Sequence, residues 1–405
     1  MKPLTKIYKH TKPFFTDTNY KLSRFELAYE TWGDKKNPAI LLFTGLSASS
    51  HAKSTKLNPQ NGWWENFIGK NRPLDTDKYY IICANYLGGC FGSSGPSSLN
   101  ENGERYALQF PVVTIFDQVR AQFQLLNYLG VDKDIHAVVG SSKGGMASLS
   151  AAAMFPQVRS VICISSCTAT HPYAIGLRSS QRQILTSDVN WNKGNYYDSK
   201  FPHDGMKLAR MVATIGYRSG PEWELRYGRN RKVESAGKAP TLVEPEFLIE
   251  TYLDYQGEKY SEGYDPNSLL YLSKSMDLFD ISSIYHPNEN IRNELIRPDP
   301  SESPKQPEFC VSFQERQDTS WSNTDGNYMV KALSNVTQPI LVLGVKTDIL
   351  FPIDQQRELA DKLKKSGNKY VTFYEIDSLF GHDTFLLDLT SIGAAVKGFL
   401  EARIE

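Results

Sequence analysis

The chain has 405 residues, with 45 Lys and Arg balanced by 45 Asp and Glu and an isoelectric point near 7. That balance argues against nucleic acid or an anionic membrane as the main partner. An apolar content of 40% with 22% charged residues suits a soluble globule, long enough for one large domain with insertions or for two domains.

No apolar run approaches the length of a membrane span. Residues Met1 to Phe15 carry Lys2, Lys6, Lys9 and Lys12 but no apolar stretch before Pro13 and no arginine, which fits neither a secretory signal nor a transit peptide. The five cysteines (Cys83, Cys90, Cys163, Cys167 and Cys310) lack metal-ligand spacing and read as buried free thiols. A reducing, cytoplasmic location and no metal are therefore expected.

In chain order, β-rich apolar runs occur at Phe25–Trp32, Ala39–Leu46, Tyr79–Tyr86, Ile135–Gly140, Ser160–Ser166, Pro339–Val345 and Tyr370–Ile376. Several are continuous rather than alternating, as in strands buried on both faces. Helical patterns lie between them. Thr114 to Leu129 places Phe116, Val119, Phe123, Leu126 and Leu129 on one side; Asp354 to Lys365 follows Pro352; Asp383 to Ala402 reads as one long amphipathic C-terminal helix. The alternation predicts an α/β fold with a mostly parallel sheet between helical layers. It breaks from about Cys167 to Val336, where helical stretches such as Gly205–Ile215 and Asn267–Leu278 precede a polar, proline-spotted excursion at 286–327. The expected organisation is a core of residues 1–166 and 337–405, with 167–336 as a helical lid inserted after the sixth strand.

The chemistry starts at residues 135–145. A strand-like run enters Gly140-Ser141-Ser142-Lys143-Gly144, and a small-residue helix pattern follows at once. This is G-x-S-x-G in its strand–turn–helix context, which presents the central serine as a nucleophile. A serine hydroxyl needs a base, and the base an orienting acid. Asp348 lies just past the strand ending at Val345, and His382 on the loop after the strand ending at Ile376. His382 is also the only histidine after the lid, and the order Ser142, Asp348, His382 is that of an α/β-hydrolase triad. The backbone N–H groups of Lys143 and of Leu46, on the loop after Ala39–Phe43, are the candidate oxyanion donors. No dinucleotide or phosphate-cradling glycine motif is present.

These residues resemble the homoserine O-acetyltransferase (MetX-type) family of the α/β-hydrolase superfamily. The resemblance extends over most of the chain. It includes Asn85-Tyr86-Leu87-Gly88-Gly89-Cys90-Phe91-Gly92-Ser93-Ser94-Gly95-Pro96, then Phe110-Pro111-Val112-Val113-Thr114, then the serine turn. In the middle section it includes Ala209-Arg210-Met211, Tyr217-Arg218-Ser219, Tyr255-Gln256-Gly257-Glu258-Lys259 and Asp265-Pro266-Asn267-Ser268. Near the end it includes Asp348-Ile349-Leu350-Phe351-Pro352 and Gly381-His382-Asp383.

The resemblance implies ping-pong acyl transfer from an acyl-CoA co-substrate, with acetyl-CoA the expected donor and no bound cofactor, to the side-chain hydroxyl of homoserine or serine. It places Arg210 and Tyr217 beside the acceptor, and Asp383 opposite its amino group. A zwitterion needs a cation for its carboxylate and an anion for its ammonium. The simpler roles are a lid salt bridge for Arg210 and a helix N-cap for Asp383. A homodimer through the lid is also implied.

Three departures stand out. Lys143 replaces the family's methionine and puts a cation beside the nucleophile. Thr44-Gly45-Leu46-Ser47-Ala48 differs from the family's oxyanion loop. The 286–327 excursion is longer than the usual link. A serine esterase on the same scaffold and a natural-product O-acetyltransferase with a larger alcohol acceptor remain alternatives, since fold alone does not separate them.

Overall fold

The most apolar runs pair side by side at the centre of the molecule. The computed structural model describes residues 5–233, 239, 241–261, 263–284 and 325–402. Its main sheet contains β1 (Lys6–His10), β4 (Phe25–Trp32), β5 (Ala39–Phe43), β6 (Tyr80–Ala84), β7 (Ile135–Ser141), β8 (Val161–Ile164), β9 (Ile340–Val345) and β10 (Val371–Ile376). Their order is β1-β4-β6-β5-β7-β8-β9-β10. The pairs β1–β4 and β4–β6 are antiparallel, and every later pair is parallel. β2 (Phe14–Phe15) and β3 (Lys21–Leu22) form a small separate hairpin.

β5, β6 and β9 are buried at every position. Alternate residues serve opposite faces: Leu41 and Phe43 of β5 join one apolar cluster, Ile40 and Leu42 the other. Helices α1 (Ile115–Leu129) and α2 (Lys143–Met154) cover the first face. The helix Ser391–Glu401, together with Trp64 and Phe67, covers the second. This is the two-sided burial that continuous apolar strands require. α1 starts at a capping box: the Asp117 N–H donates to Thr114 Oγ1, and the Thr114 N–H donates to Asp117 Oδ2 at 2.8 Å.

The chain leaves the sheet after β8, the sixth strand of the main sheet, and re-enters it at β9. Between them the described chain is mainly helical: α3 (Pro172–Ser187), α4 (His203–Tyr217), α5 (Gly220–Arg226), α6 (Leu248–Ser261) and α7 (Pro266–Asp277), then a helix at Asp325–Leu333. The excursion expected at 286–327 lies outside the described residues up to 324, and Cys310 falls within that part. The other four cysteines are free, and three of them are buried.

The expected single C-terminal helix from Asp383 is corrected. A 3-10 turn at Gly381–Asp383 leads into a short helix, Thr384–Leu387, and the chain breaks before Ser391–Glu401. The break has a local cause: Asp388 leaves helical geometry, and its carboxylate accepts the Ser391 N–H at 2.8 Å. Among the described residues, no helix is long and apolar enough to cross a membrane.

Candidate active site

The serine turn follows from close approach. Ser142 follows β7 directly with φ 57° and ψ −123°, a region that costs a non-glycine residue about 1–3 kcal/mol. The turn is held from both sides: the Ser142 N–H donates to the Ile164 carbonyl at 2.9 Å, and the Ser142 carbonyl accepts the Gly145 N–H at 2.9 Å. A Cβ at Gly140 would lie 2.1 Å from the Gly144 carbonyl oxygen, and one at Gly144 would lie 2.5 Å from that of Phe43. Both positions therefore exclude a side chain. Lys143 is the first residue of α2, so its N–H has no carbonyl within the helix to bond.

Asp348 follows β9. Its Oδ1 accepts the N–H groups of Leu350 (2.9 Å) and Phe351 (2.8 Å), which leaves Oδ2 for His382 Nδ1 at 2.7 Å. His382 is buried between Phe351, stacked at 5.2 Å, and Phe385, edge-on at 5.4 Å. The histidine loop is fixed against the end of α4. Gly381 has φ 61°, and a Cβ there would meet Arg218 and Ser219 backbone atoms at 2.9–3.0 Å. Ser219 Oγ donates to the Leu379 carbonyl.

Ser142 and His382 line one cavity of about 250 Å³. The loop Gly45-Leu46-Ser47-Ala48 and Trp63 form one wall, and Arg210, Tyr217 and Tyr260 form another. Asp383, Phe385 and Leu386 complete it. The structure thus brings together Ser142, Leu46, Arg210, Tyr217, His382 and Asp383, with Asp348 one hydrogen bond behind His382.

Arg210 lies over the rings of Tyr260 (4.5 Å to the centroid) and Tyr217 (5.3 Å). Its Nε is buried without a hydrogen-bond partner, and among the described residues it forms no ion pair. The simpler role of a lid salt bridge is therefore not what these residues show. Burial pushes the Tyr217 hydroxyl above its ordinary pKa, with Arg210 opposing, so it stays protonated near neutrality. Burial also raises the Asp383 carboxyl, opposed by Arg218, His382 and Arg210. Asp383 Oδ2 pairs with Arg218 Nε at 3.1 Å. Asp383 makes no side-chain cap to the following helix, which corrects the N-cap expectation.

Lys143 does not put a cation into the cavity, contrary to the sequence expectation. Its side chain is fully buried and lines no part of the cavity. Nζ bonds Gln118 Oε1 and sits 3.1 Å from the centre of the Tyr86 ring. Gln118 in turn donates to the Leu87 carbonyl, and the Tyr86 hydroxyl donates to the Thr44 carbonyl at 2.9 Å, just before the Gly45–Ala48 loop. Desolvation holds the lysine well below its ordinary pKa. The Asn85–Pro96 loop also has a supporting place: Asn85 Oδ1 accepts the Ser50 N–H, and Asn85 Nδ2 donates to the Phe91 carbonyl at 2.6 Å.

Sequence reasoning assigned no role to Trp63, Tyr260 or Arg218. Arg218 lies in a motif quoted above and pairs locally with Glu222, but its pairing with Asp383, 165 residues away, is beyond local spacing. Among the described residues, no cluster of His, Cys, Asp and Glu could hold a metal ion.

A strained serine turn after a parallel strand, with an aspartate-paired histidine on the loop after the last strand, is the arrangement of an α/β-hydrolase. The family described as alpha/beta hydrolase fold matches residues 38–389, and the chain belongs to it. Within that fold it belongs to the O-acyltransferases of the serine and homoserine type. It is 49% identical to a serine O-succinyltransferase of Emericella nidulans over 96% of this chain and 80% of that one. It is 46% identical to a serine O-succinyltransferase of Schizosaccharomyces pombe over 98% and 84%. Among solved structures, homoserine O-acetyltransferase from Bacillus anthracis superposes with a TM-score of 0.79 at 26% identity, covering 98% of this chain and 97% of that one.

Proposed function

We propose that the protein transfers an acyl group from acyl-CoA to the side-chain hydroxyl of serine, by a ping-pong reaction through acyl-Ser142. The observation that carries this reading is the shared cavity: Ser142 and the Asp348-paired His382 share it with Arg210, which forms no ion pair among the described residues and whose Nε is buried without a hydrogen-bond partner. Serine as acceptor and succinyl as the acyl group are favoured over homoserine and acetyl because the relatives at 46–49% identity carry those names.

In the first half-reaction, Ser142 Oγ attacks the thioester carbonyl while His382 takes its proton. The oxyanion is held by the N–H groups of Leu46 and Lys143. The C–S bond breaks, and the proton on His382 leaves with CoA as the thiol. In the second half-reaction, His382 takes the proton of the acceptor hydroxyl, whose oxygen attacks the acyl-enzyme. Ser142 Oγ leaves and recovers that proton. Asp348 keeps Nδ1 protonated and stabilises the imidazolium. Arg210 receives the acceptor carboxylate, Tyr217 hydrogen-bonds beside it, and Asp383 receives the ammonium. The Arg218 pair on Oδ2 fixes the Asp383 carboxylate in place.

The helical segment acts as the lid. Its exposed Leu208, Ile215, Leu225 and Tyr255 support a homodimer through this region. The decisive assay follows CoA thiol and O-acyl product from succinyl-CoA and acetyl-CoA, each with serine, homoserine or no acceptor. O-Succinylserine is the expected product. CoA release that never depends on an amino acid would make the protein a hydrolase.

A further inference from the structure

Asp383 lines the cavity, yet its charge is already matched from behind. Arg218 Nε pairs with Asp383 Oδ2 at 3.1 Å, and Arg218 lines no part of the cavity. A carboxylate neutralised by a largely buried guanidinium keeps little field for an incoming ammonium. A second carboxylate stands against that guanidinium. Glu222, on α5, is 2% exposed, and its Oε1 accepts Arg218 Nη1 at 3.0 Å. Its Oε2 is buried without a hydrogen-bond partner among the described residues. A buried carboxylate with an unpaired oxygen is costly, so packing alone does not explain it.

The start of α5 is bolted to the loop that carries Asp383. Ser219 Oγ donates to the Leu379 carbonyl on that loop and accepts the Glu222 N–H at 3.1 Å. Gly381 closes on the backbone of Arg218 and Ser219. On the far side, Arg226 Nη1 reaches Glu222 Oε1 at 3.0 Å, but its side chain is 41% exposed, so water screens it. The charges screened least are therefore Arg210, Arg218, Asp383 and Glu222, two of each sign. That balance suits an acceptor with no net charge. Without Glu222 the balance turns positive, which disfavours an ammonium.

We propose that Glu222 is a positioning residue that sets acceptor specificity: by sharing Arg218 with Asp383, it leaves Asp383 enough negative charge to select acceptors bearing an ammonium beside the hydroxyl. The inference rests on the reading of Asp383 as the partner of the acceptor's ammonium.

The experiment compares kcat/KM for serine with that for 3-hydroxypropionate, which is serine without its amino group. The wild type should favour serine by about tenfold or more. Glu222→Gln should reduce that ratio by about 3–10-fold, mainly through KM, the scale of one partly screened charge beyond direct contact. Glu222→Asp, which keeps the charge, should lose less. An unmoved ratio overturns the proposal, and so does an equal loss for both acceptors, which is what a merely structural role would give. Arg226→Gln keeps the test decisive where Glu222→Gln folds poorly. With the outer cation gone, Glu222 draws more strongly on Arg218, and the ratio should rise by about twofold; a ratio that does not rise overturns the proposal. Asp383→Asn separates the two readings. If that variant still prefers serine, the ammonium is not received by Asp383; if it loses the preference while Glu222→Gln keeps it, only the role of Glu222 falls.

Discussion

The two walls of the cavity are built by different means. The sheet side depends on backbone geometry: a positive-φ serine, glycines at van der Waals limits, and a carboxylate tied by two N–H groups. The insertion side depends on side chains: Arg210 over two tyrosine rings, and Arg218 on Asp383. Backbone-built parts have few alternatives, because a displaced strand turn would break sheet pairing. Side-chain-built parts can change partner without moving the fold. Under the proposed function, the reaction resides on the first wall and the choice of substrates on the second.

The largest expected effect tests that division. Ser142→Ala should lower kcat by about 10⁴-fold or more, as removal of a nucleophile acting as part of a unit does. Asp348→Asn should lower it by about 10³–10⁴-fold, because the amide favours the wrong imidazole tautomer. Neither should much alter acceptor binding, measured by calorimetry or by product inhibition. If either variant loses acceptor affinity as strongly as rate, the two walls are not separate.

Arg210→Gln should show the opposite pattern. A charged hydrogen bond to a carboxylate is lost, so the KM for serine should rise about 10–100-fold. The rate of acylation by acyl-CoA, read as a burst of thiol without acceptor, should change by less than about threefold. A burst that collapses with the KM would place Arg210 in the acylation step instead.

Lys143→Met tests whether the residue after the nucleophile belongs to either wall. The side chain is in the core, so activity should stay within about threefold, the backbone N–H being retained. Stability is where the change should register. Burial favours the neutral amine, so the unfolded chain binds more protons than the folded one below the lysine's ordinary pKa. The wild type therefore gains stability as pH rises towards about 10. Melting midpoints of the two proteins should differ most in favour of methionine at low pH and converge as pH rises. A constant gap would show that Lys143 folds with its charge fully compensated.

Sequence reached the backbone-built wall more readily than the other. G-x-S-x-G and the loops after β9 and β10 are local patterns, so Ser142, Asp348 and His382 could be placed by strand order alone. The edge strand β1 was missed because Lys6, Lys9 and His10 surround its two apolar residues, Ile7 and Tyr8, a polar pattern typical of an edge rather than of a buried run. The C-terminal break was missed because Phe385, Leu389, Ile392 and Val396 keep helical spacing across Asp388. Lys143 pointed the expectation into the cavity because sequence adjacency to Ser142 says nothing of direction. At the first residue of α2 the side chain turns into the core, while only the N–H faces the turn. The pairing of Arg218 with Asp383 was out of reach because the two lie 165 residues apart.

The smallest effect concerns Glu65, which shapes the sheet-side wall from behind. Its carboxylate gathers the 53–65 loop, accepting from Lys53 Nζ (2.8 Å), the Ser54 N–H (2.8 Å), Ser54 Oγ (2.7 Å) and the Gly62 N–H (2.9 Å). That loop carries Trp63 into the cavity wall, with its indole N–H on the Ser49 carbonyl. Burial alone would raise the carboxyl, but the Lys53, Ser54 and Gly62 donors outweigh it and bring it down to about 2. With a folded value below the unfolded one, Glu65 contributes stability that is complete above about pH 4.5 and is lost as pH falls towards 2. Glu65→Gln should therefore melt about 2–4 °C below the wild type at pH 7, and the two should draw together through that acid window. Because the loss falls on the loop behind Trp63 and not on the insertion, serine binding at pH 7 should be affected less than in Arg210→Gln. An equal loss of serine binding would mean that the wall made by the backbone also selects the acceptor.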